Sequence, residues 1–435
     1  MPDQADTYRS LDLALRIGEV LLSSGAGAAD VAAGMLAVAR ATGLRHVTAD
    51  VTFTQLTLTE QPDGEVPALV QQRRVTYRTI DYEDLTEVDH LVRDLIMQKI
   101  DRDQARARLA RLLSSGHHRA RWKVSLGWGV MGGGVAFLLG GSPTVAGLAF
   151  VAAILIDQLQ RFMARRRWPV FYQQVGGGLV ASLVAVGAAA TSLDVKPSLV
   201  VTAGIVMLLS GLGFVGATQD ALTGYPMTAG ARFLEVMFAT AGITAGVSAG
   251  LTIGRLLGVD VGRVDPGAYA LAEASVVTIG AAVSAAAFAY ASYAPARSLV
   301  PVAVVAAVGE IVVLWLRDSS LGGTWATAAA AVAVGLLSYS VAGWVRVPPL
   351  LVVVSGVVPL LPGLAIYRGL TLLGESGGGG IFTLSTAATT ALALASGVLL
   401  GQYIAQPLRR EARRIESRLA GPRLVGPLRL PKSRR

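Results

Sequence analysis

Residues 357–369, VVPLLPGLAIYRG, lie in an apolar run long enough to cross a bilayer, yet they contain Pro359, Pro362 and the adjacent Gly363. Proline has no backbone N–H, so a proline inside a helix leaves a carbonyl without its hydrogen-bond partner. Such groups are tolerated at membrane depth where the backbone lines a cavity. The stretch therefore predicts a broken membrane helix beside a cavity. A simple kink is the alternative, because Pro and Gly are frequent in membrane helices.

The rest of the chain has the composition of a membrane protein. Of its 435 residues, 53% are hydrophobic and 15% are charged, and the apolar residues form long blocks after about residue 123. A membrane-spanning helix needs about 20 apolar residues. Ten segments fit this length: 124–141, 144–164, 169–191, 198–217, 233–257, 268–293, 298–316, 325–345, 348–373 and 381–405. We therefore expect a polytopic α-helical membrane protein with ten transmembrane helices.

The placement of charge predicts an orientation in the membrane. The net charge is +9, and the basic residues gather in alternate connections between the expected helices and in the segment 406–435. Lys and Arg concentrate in the cytoplasmic loops of membrane proteins. We expect a multi-pass protein of the cytoplasmic membrane, with both termini cytoplasmic and no nucleic-acid partner. The basic cytosolic tail, 406–435, either binds anionic lipid headgroups or is simply solvated.

Several kinds of chemistry are not expected from this chain. It contains no cysteine, which excludes disulfides and cysteine-ligated metal sites. It has no Gly-Lys-Ser/Thr phosphate loop, so direct use of ATP is not expected. His117 and His118 have no carboxylate or histidine at a helical metal-binding spacing, and we expect no metal and no cofactor. The polar start, MPDQADTYRS, lacks the pattern of a secretory signal, so no cleaved leader is expected.

Residues 1–120 are predicted to form a small cytosolic α+β domain. Helical spacing of apolar residues over 8–23 is followed by the SSGAG break and by a second helix that ends at Gly43. The Val- and Thr-rich stretches on either side of QPDGE read as a hairpin, because Asp-Gly favours a tight turn. Two more helices are expected near 83–99 and 101–115.

The membrane part shows internal similarity. KPSLVVTAGIVMLLSGLG (196–213) aligns with PPLLVVVSGVVPLLPGLA (348–365), which matches Gly211 to Gly363. The alignment predicts a duplicated unit whose fourth helix is broken in both copies.

The duplication predicts the arrangement of the helices. The two repeats would be residues 121–260 and 261–405, with five helices each. A five-helix unit starts and ends on opposite sides of the membrane, so the second copy is inverted. Inverted repeats are a recurring architecture of secondary transporters, which expose a central site to alternate sides.

Three stretches resemble one family of bacterial proteins. LLSSGAGAADVAAGMLAVARATGLRHVTADVTFTQLTLT (21–59), GLGFVGATQDALTGYPMTAGARFLEV (211–236) and VVPLLPGLAIYRG (357–369) are similar to the threonine/serine exporter family (ThrE-like). The resemblance implies export of L-threonine and L-serine driven by the proton-motive force. Ser210-Gly211 departs from the family, in which Pro-Gly is usual, so the first break is expected to be softer or to add a hydroxyl.

The expected substrate site lies where the two broken helices cross. Backbone amides there would bind the carboxylate of an amino acid, and carbonyls with Asp220 would bind its ammonium. The candidate substrate-binding residues are Ser210, Gly211, Gln219, Asp220, Pro359, Pro362 and Gly363. The alternative for Asp220 is to cap the loop LTGYPMTAG.

Ionisable residues within the apolar segments are candidates for proton coupling. A charged side chain at mid-bilayer costs about 3 kcal/mol, so such residues normally face an interior or a water-filled path. Asp157 and Glu310 fall at similar depths in the second and seventh helices. Asp157 alternatively begins the cytosolic interface. Glu235 is a third candidate, although it is also spaced to pair with Arg232.

Two other classes of function compete with a carrier. Ser23 or Ser24 with His46 or His90 would suggest a hydrolase in the first 120 residues, but no triad spacing supports it. A helix break followed by a cap explains the Ser-Gly residues more simply. A small-solute channel is the other possibility. The expected partners are L-threonine, L-serine, protons and the lipid bilayer, with a homo-oligomer possible.

Overall fold

The computed structural model describes residues 4–61, 67–75, 80–117, 119–191, 195–209, 211–259, 273–317, 322–376 and 378–419. Residues 62–65 of the predicted hairpin turn, Ser210 and the tail beyond residue 419 lie outside these ranges.

Residues 4–117 form a unit of four helices and one small sheet, which we call the N-terminal unit. Its elements are α1 (Gln4–Ser23), α2 (Ala28–Ala41), β1 (Val47–Val51), β2 (Gln55–Glu60), β3 (Leu69–Arg74), α3 (Tyr82–Ile96) and α4 (Arg102–Ser115). Ile17, Met35, Leu56 and Leu58 are fully buried between the first two helices and the sheet. The four helices lie where the apolar periodicity predicts them.

The sheet is antiparallel in the order β1-β2-β3, so it has three strands where a two-stranded hairpin was expected. The Val- and Thr-rich stretch 47–60 is divided by a tight turn. The Thr52 N–H and Thr52 hydroxyl both donate to the Gln55 carbonyl, at 2.9 and 3.2 Å. A side-chain hydroxyl that bonds the backbone locally competes with strand pairing, which explains the break.

The remaining helices form a bundle. They are α5 (Arg121–Leu138), α6 (Pro143–Arg165), α7 (Val170–Ala189), α8 (Pro197–Ile205), α9 (Gly211–Leu222), α10 (Pro226–Leu256), α11 (Ala274–Ala291), α12 (Ala296–Arg317), α13 (Gly323–Val345), α14 (Pro349–Val357), α15 (Gly363–Ser376) and α16 (Gly378–Leu419). Within the described residues, seven helices are long and apolar enough to cross a membrane. Counting each of two bent helix pairs as one span gives nine. The helix α5 fills the remaining predicted position but is not among the seven, so ten spans stays a prediction.

Exposed tryptophans mark both ends of the bundle. Trp122, Trp168 and Trp344 lie near the helix ends that face the N-terminal unit, and Trp315 and Trp325 lie at the opposite ends. Tryptophan concentrates at membrane–water interfaces, where its ring contacts lipid and its N–H contacts water. Their placement agrees with a bundle that spans a bilayer.

The bundle contains two sets of helices with matching elements, α5–α10 and α11–α16. Each set has a nine-residue helix, α8 or α14, followed by a three-residue 3-10 turn and a second short helix. The first helices of the two sets, α5 and α11, pack against each other and run antiparallel. A Cβ on Gly127 would lie 2.9 Å from Tyr290, and one on Gly280 would lie 2.5 Å from the Leu138 nitrogen.

The N-terminal unit is docked on one end of the bundle. Tyr82 is fully buried, its N–H donates to the Ser292 carbonyl at 2.9 Å, and its ring meets Phe288 edge to face at 6.3 Å. Arg119 donates to the Ala294 carbonyl at 2.8 Å. Apolar burial and backbone hydrogen bonds together fix the N-terminal unit against the helices.

Candidate functional site

Two broken helices cross in the middle of the bundle. The segments Pro197–Leu208 and Gly211–Leu222 meet at 47°, and Pro349–Leu360 and Gly363–Leu373 meet at 46°. The sequence VVPLLPGLAIYRG thus encodes an actual break rather than a straight helix. Pro362 explains it, because proline at this position removes an N–H and disfavours helical conformation in the preceding Leu361.

The two breaks lie against each other. A Cβ on Gly211 would be 2.9 Å from the Leu361 Cβ, and a Cβ on Gly363 would be 2.9 Å from the Leu209 Cβ. The contact is reciprocal, because in each break a glycine packs against a leucine of the other break. Glycine has no side chain, so the two backbones approach each other closely. We call this contact the crossing.

The crossing concentrates backbone polarity inside an apolar bundle. The helices α9 and α15 begin there, and the first N–H groups of a helix have no partner within it. The 3-10 turns that follow α8 and α14 end there, which leaves carbonyls at the same place. Helix N-termini attract negative groups and C-termini attract positive groups. A zwitterion therefore finds complementary partial charges at the crossing.

A cavity of about 100 Å³ lies beside the crossing. Pro359, Gly211 and Gly363 line it, together with apolar side chains such as Trp128 and Phe288. This volume is roughly that of three water molecules in the liquid.

A larger cavity of about 450 Å³ lies between the crossing and the N-terminal unit, and we call it the vestibule. Leu212 and Val357, next to the two breaks, form its floor. The turn after α1, residues 23–26, forms part of its roof. The size is in the range of small-molecule sites, which are about 300–1,000 Å³.

Charged and polar side chains line the vestibule. They are Ser23, Ser24, Asp30, Asp89, Gln219, Arg232, Glu235, Tyr339 and Gln402. The Asp30 side chain is open to the cavity, yet the surrounding protein and the nearby charge of Asp220 raise the pKa of its carboxyl. Burial also raises the pKa of Asp89, against the opposing effect of Arg93, whose Nε lies 2.9 Å from it.

Asp220 does not line either cavity but joins the bundle to the N-terminal unit. Its carboxylate is fully buried; Oδ1 accepts from the Ala28 N–H at 2.8 Å, and Oδ2 lies 3.1 Å from Arg232 Nε. Arg232 Nη2 donates to the Ala26 carbonyl at 3.0 Å. The side chain thus caps α2, whose N-cap residue Gly27 has no side chain of its own. The sequence had suggested a cap on the loop after α9 as the alternative for Asp220, and this cap on a distant helix was not predicted.

The three candidates for proton coupling lie in different surroundings. Asp157 is buried in α6 and forms an ion pair with Arg161 of the next turn, which also contacts Ser125. Glu310 is buried in α12, with 7% of its surface exposed. Its neighbour Gly309 faces the second break, because a Cβ there would lie 3.5 Å from Leu360. Glu235 is exposed on α10 and lines the vestibule.

The serine and histidine residues considered for hydrolysis have separate partners. The Ser24 hydroxyl donates to the Asp81 carbonyl at 3.4 Å, and Ser23 donates to Val20 at 3.0 Å. His90 Nε2 lies 3.2 Å from the Arg346 carbonyl. His46 is exposed on the N-terminal unit.

One group of possible metal ligands lies at the junction with the bundle. Donor atoms of Asp81, Asp84 and His117 lie within 4.8 Å of one another in the described part of the chain. Spacing within one helix could not reveal this group, because the carboxylates come from another part of the chain. Asp81 already accepts the N–H groups of Glu83 and Asp84 at the start of α3, and its second oxygen bonds His117. These contacts and the positive end of α3 explain the group as a helix cap.

Sequence reasoning missed the contribution of the N-terminal unit to the vestibule. An acid in the first turn of a helix, such as Asp30, is already explained by the helix dipole. Tyr339 and Gln402 are single polar residues in apolar helices, which usually indicates a contact between helices. Only the three-dimensional arrangement brings them to one cavity.

Comparison with known proteins assigns the chain to a family. Residues 12–254 match the family described as "Putative threonine/serine exporter", and residues 277–404 match "Threonine/Serine exporter, ThrE". The "Probable threonine/serine exporter" of Mycobacterium tuberculosis (strain ATCC 25618 / H37Rv) is 37% identical over 430 residues, which are 97% of this chain and 81% of that protein. The "Threonine/serine exporter" of Corynebacterium glutamicum is 36% identical over 422 residues, 95% of this chain and 86% of that protein. No solved structure matches the chain. The broken-helix motifs, the apolar bundle and these relatives together establish that the chain belongs to the threonine/serine exporter family.

Proposed function

We propose that this protein exports L-threonine and L-serine across the cytoplasmic membrane as a proton antiporter. Export alternates access to the crossing between the two sides of the membrane. Both termini and the N-terminal unit are cytoplasmic. The names of the relatives support the substrates and the direction of transport, and the family resemblance supports coupling to protons.

The observation that carries the mechanism is the crossing of two equivalent broken helices. The matching helix lengths and the antiparallel packing of α5 on α11 support two inverted five-helix repeats. A site on the axis between inverted repeats becomes open to one side or the other as one half rocks against its counterpart.

The substrate zwitterion binds at the crossing through the backbone. The first amides of α9, from Gly211, and of α15, from Gly363, receive the carboxylate, and the carbonyls that end the 3-10 turns receive the ammonium. Pro359 and Pro362 keep the second break open. Ser210, whose structure is outside the described residues, supplies a hydroxyl next to Gly211. Asp220 contributes to ammonium binding in a state in which α2 has left it.

Protons move through three carboxyl groups of the bundle. Glu310, buried in α12 next to Gly309, takes up or releases the coupling proton as the crossing changes sides. Asp157, at the equivalent depth in the first repeat, and Glu235, in the vestibule, complete the path. A buried carboxyl exchanges a proton near neutral pH when desolvation opposes its charge.

The test is uptake of labelled L-threonine into proteoliposomes loaded with unlabelled L-threonine, with and without a pH gradient. We expect Glu310→Gln to keep exchange but to lose stimulation by the gradient, because glutamine cannot carry a proton. Glu273→Gln, at an exposed position before α11, is the matched control and should behave as wild type.

Three results would contradict the proposal. If the pH gradient stimulates threonine uptake equally in Glu310→Gln and in wild type, Glu310 does not carry the coupling proton. Flux without saturation or counterflow indicates a channel. Loss of activity in the double variant Ser24→Ala with His90→Ala, but not in Glu310→Gln, indicates a hydrolase.

A further inference from the structure

The N-terminal unit closes a cavity that the membrane helices alone leave open. The vestibule is walled by α9, α10, α13, α14 and α16 and roofed by residues 21–30 of the N-terminal unit. Asp30 from the roof and Gln219 from the wall border the same space. A solute that enters the crossing from this side passes between the N-terminal unit and the helices.

The charge of the vestibule favours a cation. Among its described lining residues, Asp30, Asp89 and Glu235 carry carboxyl groups and Arg232 carries the positive charge. The Arg232 charge is already compensated by the buried carboxylate of Asp220, 3.1 Å away. Asp89 is paired with Arg93. Asp30 adds a further carboxyl group to the wall, from the side of the N-terminal unit.

The position of Asp30 is not explained by helix stability alone. An acid in the first turn of α2 is stabilised by the helix dipole even when it points into open solvent. The exposed Asp30 side chain instead opens onto the vestibule, where desolvation and then the charge of Asp220 raise the pKa of its carboxyl. A bound cation favours the charged form of this carboxyl.

We propose that the N-terminal unit completes a binding site for the ammonium group of an amino acid, with Asp30 as its principal ligand. This site rests on the proposed export function, since it holds the substrate before it reaches the crossing. Gln219, Tyr339 and Gln402 offer hydrogen bonds to the hydroxyl and carboxylate of the same molecule. The N-terminal unit is thereby part of the transport path.

The absence of cysteine from the chain makes a site-specific test available. Ser23→Cys in the roof and Gln402→Cys in the wall are half-buried reporters that line the vestibule, and N-ethylmaleimide is the labelling reagent. The full-length variants are labelled in detergent in the presence of L-threonine, L-threoninol or N-acetyl-L-threonine. Threoninol keeps the positive charge and lacks the carboxylate, whereas the acetylated compound lacks the positive charge.

We expect L-threonine and L-threoninol to slow labelling at both reporters, and N-acetyl-L-threonine to have no effect. Adding Asp30→Asn should raise the protecting concentration of L-threonine about tenfold or more, since a hydrogen bond to a charged group is lost. Asp30→Glu should restore protection. Asp50→Asn, an exposed carboxylate of β1, is the control and should change nothing.

Protection that is unaffected by Asp30→Asn, or reporters that are not labelled at all, would overturn this site. The proposed export function is tested by a separate measurement, threonine flux in proteoliposomes. If L-threonine protects the reporters in an Asp30-dependent way but no threonine flux occurs in proteoliposomes, the site stands and export does not.

Discussion

At the scale of single residues, Asp220 shows how a membrane helix and the N-terminal unit depend on each other. Gly27 precedes α2 without a capping side chain, and Asp220 of α9 supplies the missing acceptor to the Ala28 N–H. Sequence reasoning named Asp220 as a candidate ligand of the substrate ammonium, which stays a prediction, and the structure shows its carboxylate completely buried. Its partner could not be predicted, because a cap supplied from a distant helix leaves no local pattern.

Breaking this buried pair should be costly. Asp220→Ala leaves the Arg232 guanidinium buried beside the Ala26 carbonyl without its counter-ion, and the loss of one member of a buried pair costs about 3–5 kcal/mol. Thermal unfolding in detergent should show a large fall in Tm for this variant. Asp220→Ala with Arg232→Met should fall less, because no charge is stranded. Equal Tm for Asp220→Ala and Asp50→Ala would contradict the role of this pair.

Asp84 predicts a pH dependence at the junction. Desolvation, followed by the charge of Asp81, raises its pKa to about 6 despite the opposing charge of His117. An acid with a raised pKa in the folded state contributes stability that is present below its ordinary pKa of 3.8 and lost as the pH rises through about 6. Asp84→Asn should therefore raise Tm at pH 7.5 and leave it unchanged near pH 3.5. A variant that is less stable than wild type at pH 7.5 would refute this account.

At the scale of elements, the broken helices were the most predictable feature of the bundle. Proline and glycine act locally, so Pro359, Pro362 and Gly363 fix the second break from sequence alone. The first break was predicted through its alignment with the second. The additional strand of the N-terminal unit was missed, because its turn at Thr52 depends on a hydroxyl hydrogen bond rather than on Gly or Pro.

Closing the space at the crossing should impair transport. A methyl group on Gly211 would lie 2.9 Å from the Leu361 Cβ and 3.3 Å from the Gly363 nitrogen, so Gly211→Ala pushes the two breaks apart. We expect at least a tenfold loss of threonine counterflow, about 1.4 kcal/mol of binding or barrier energy. Gly147→Ala in α6 is the control, since a Cβ there meets nothing within 4 Å. Its transport should be normal and its stability slightly higher, by about 0.5–1 kcal/mol. Normal counterflow in Gly211→Ala would exclude the crossing as the substrate site.

At the scale of the whole molecule, transport through the crossing requires a bundle that opens to one side of the membrane at a time. The vestibule extends from the N-terminal unit to Leu212 and Val357, next to the two breaks, and α15 leads away from the crossing on the other side. Composition and hydropathy predicted the helical membrane class and most helix positions, because lipid demands long apolar segments. They could not predict the vestibule, which forms only when residues 21–30 pack over five helices.

The most direct test uses single cysteines on the two sides of the crossing. Val354→Cys lies on the wall of the vestibule, and Leu364→Cys lies in α15 just beyond the second break. In proteoliposomes, maleimide labelling of the two positions is measured while L-threonine and the pH gradient are varied. Alternating access predicts opposite responses: conditions that protect one position expose the other. Labelling of both positions together, or no response of either to substrate and gradient, would contradict transport through the crossing of two inverted repeats.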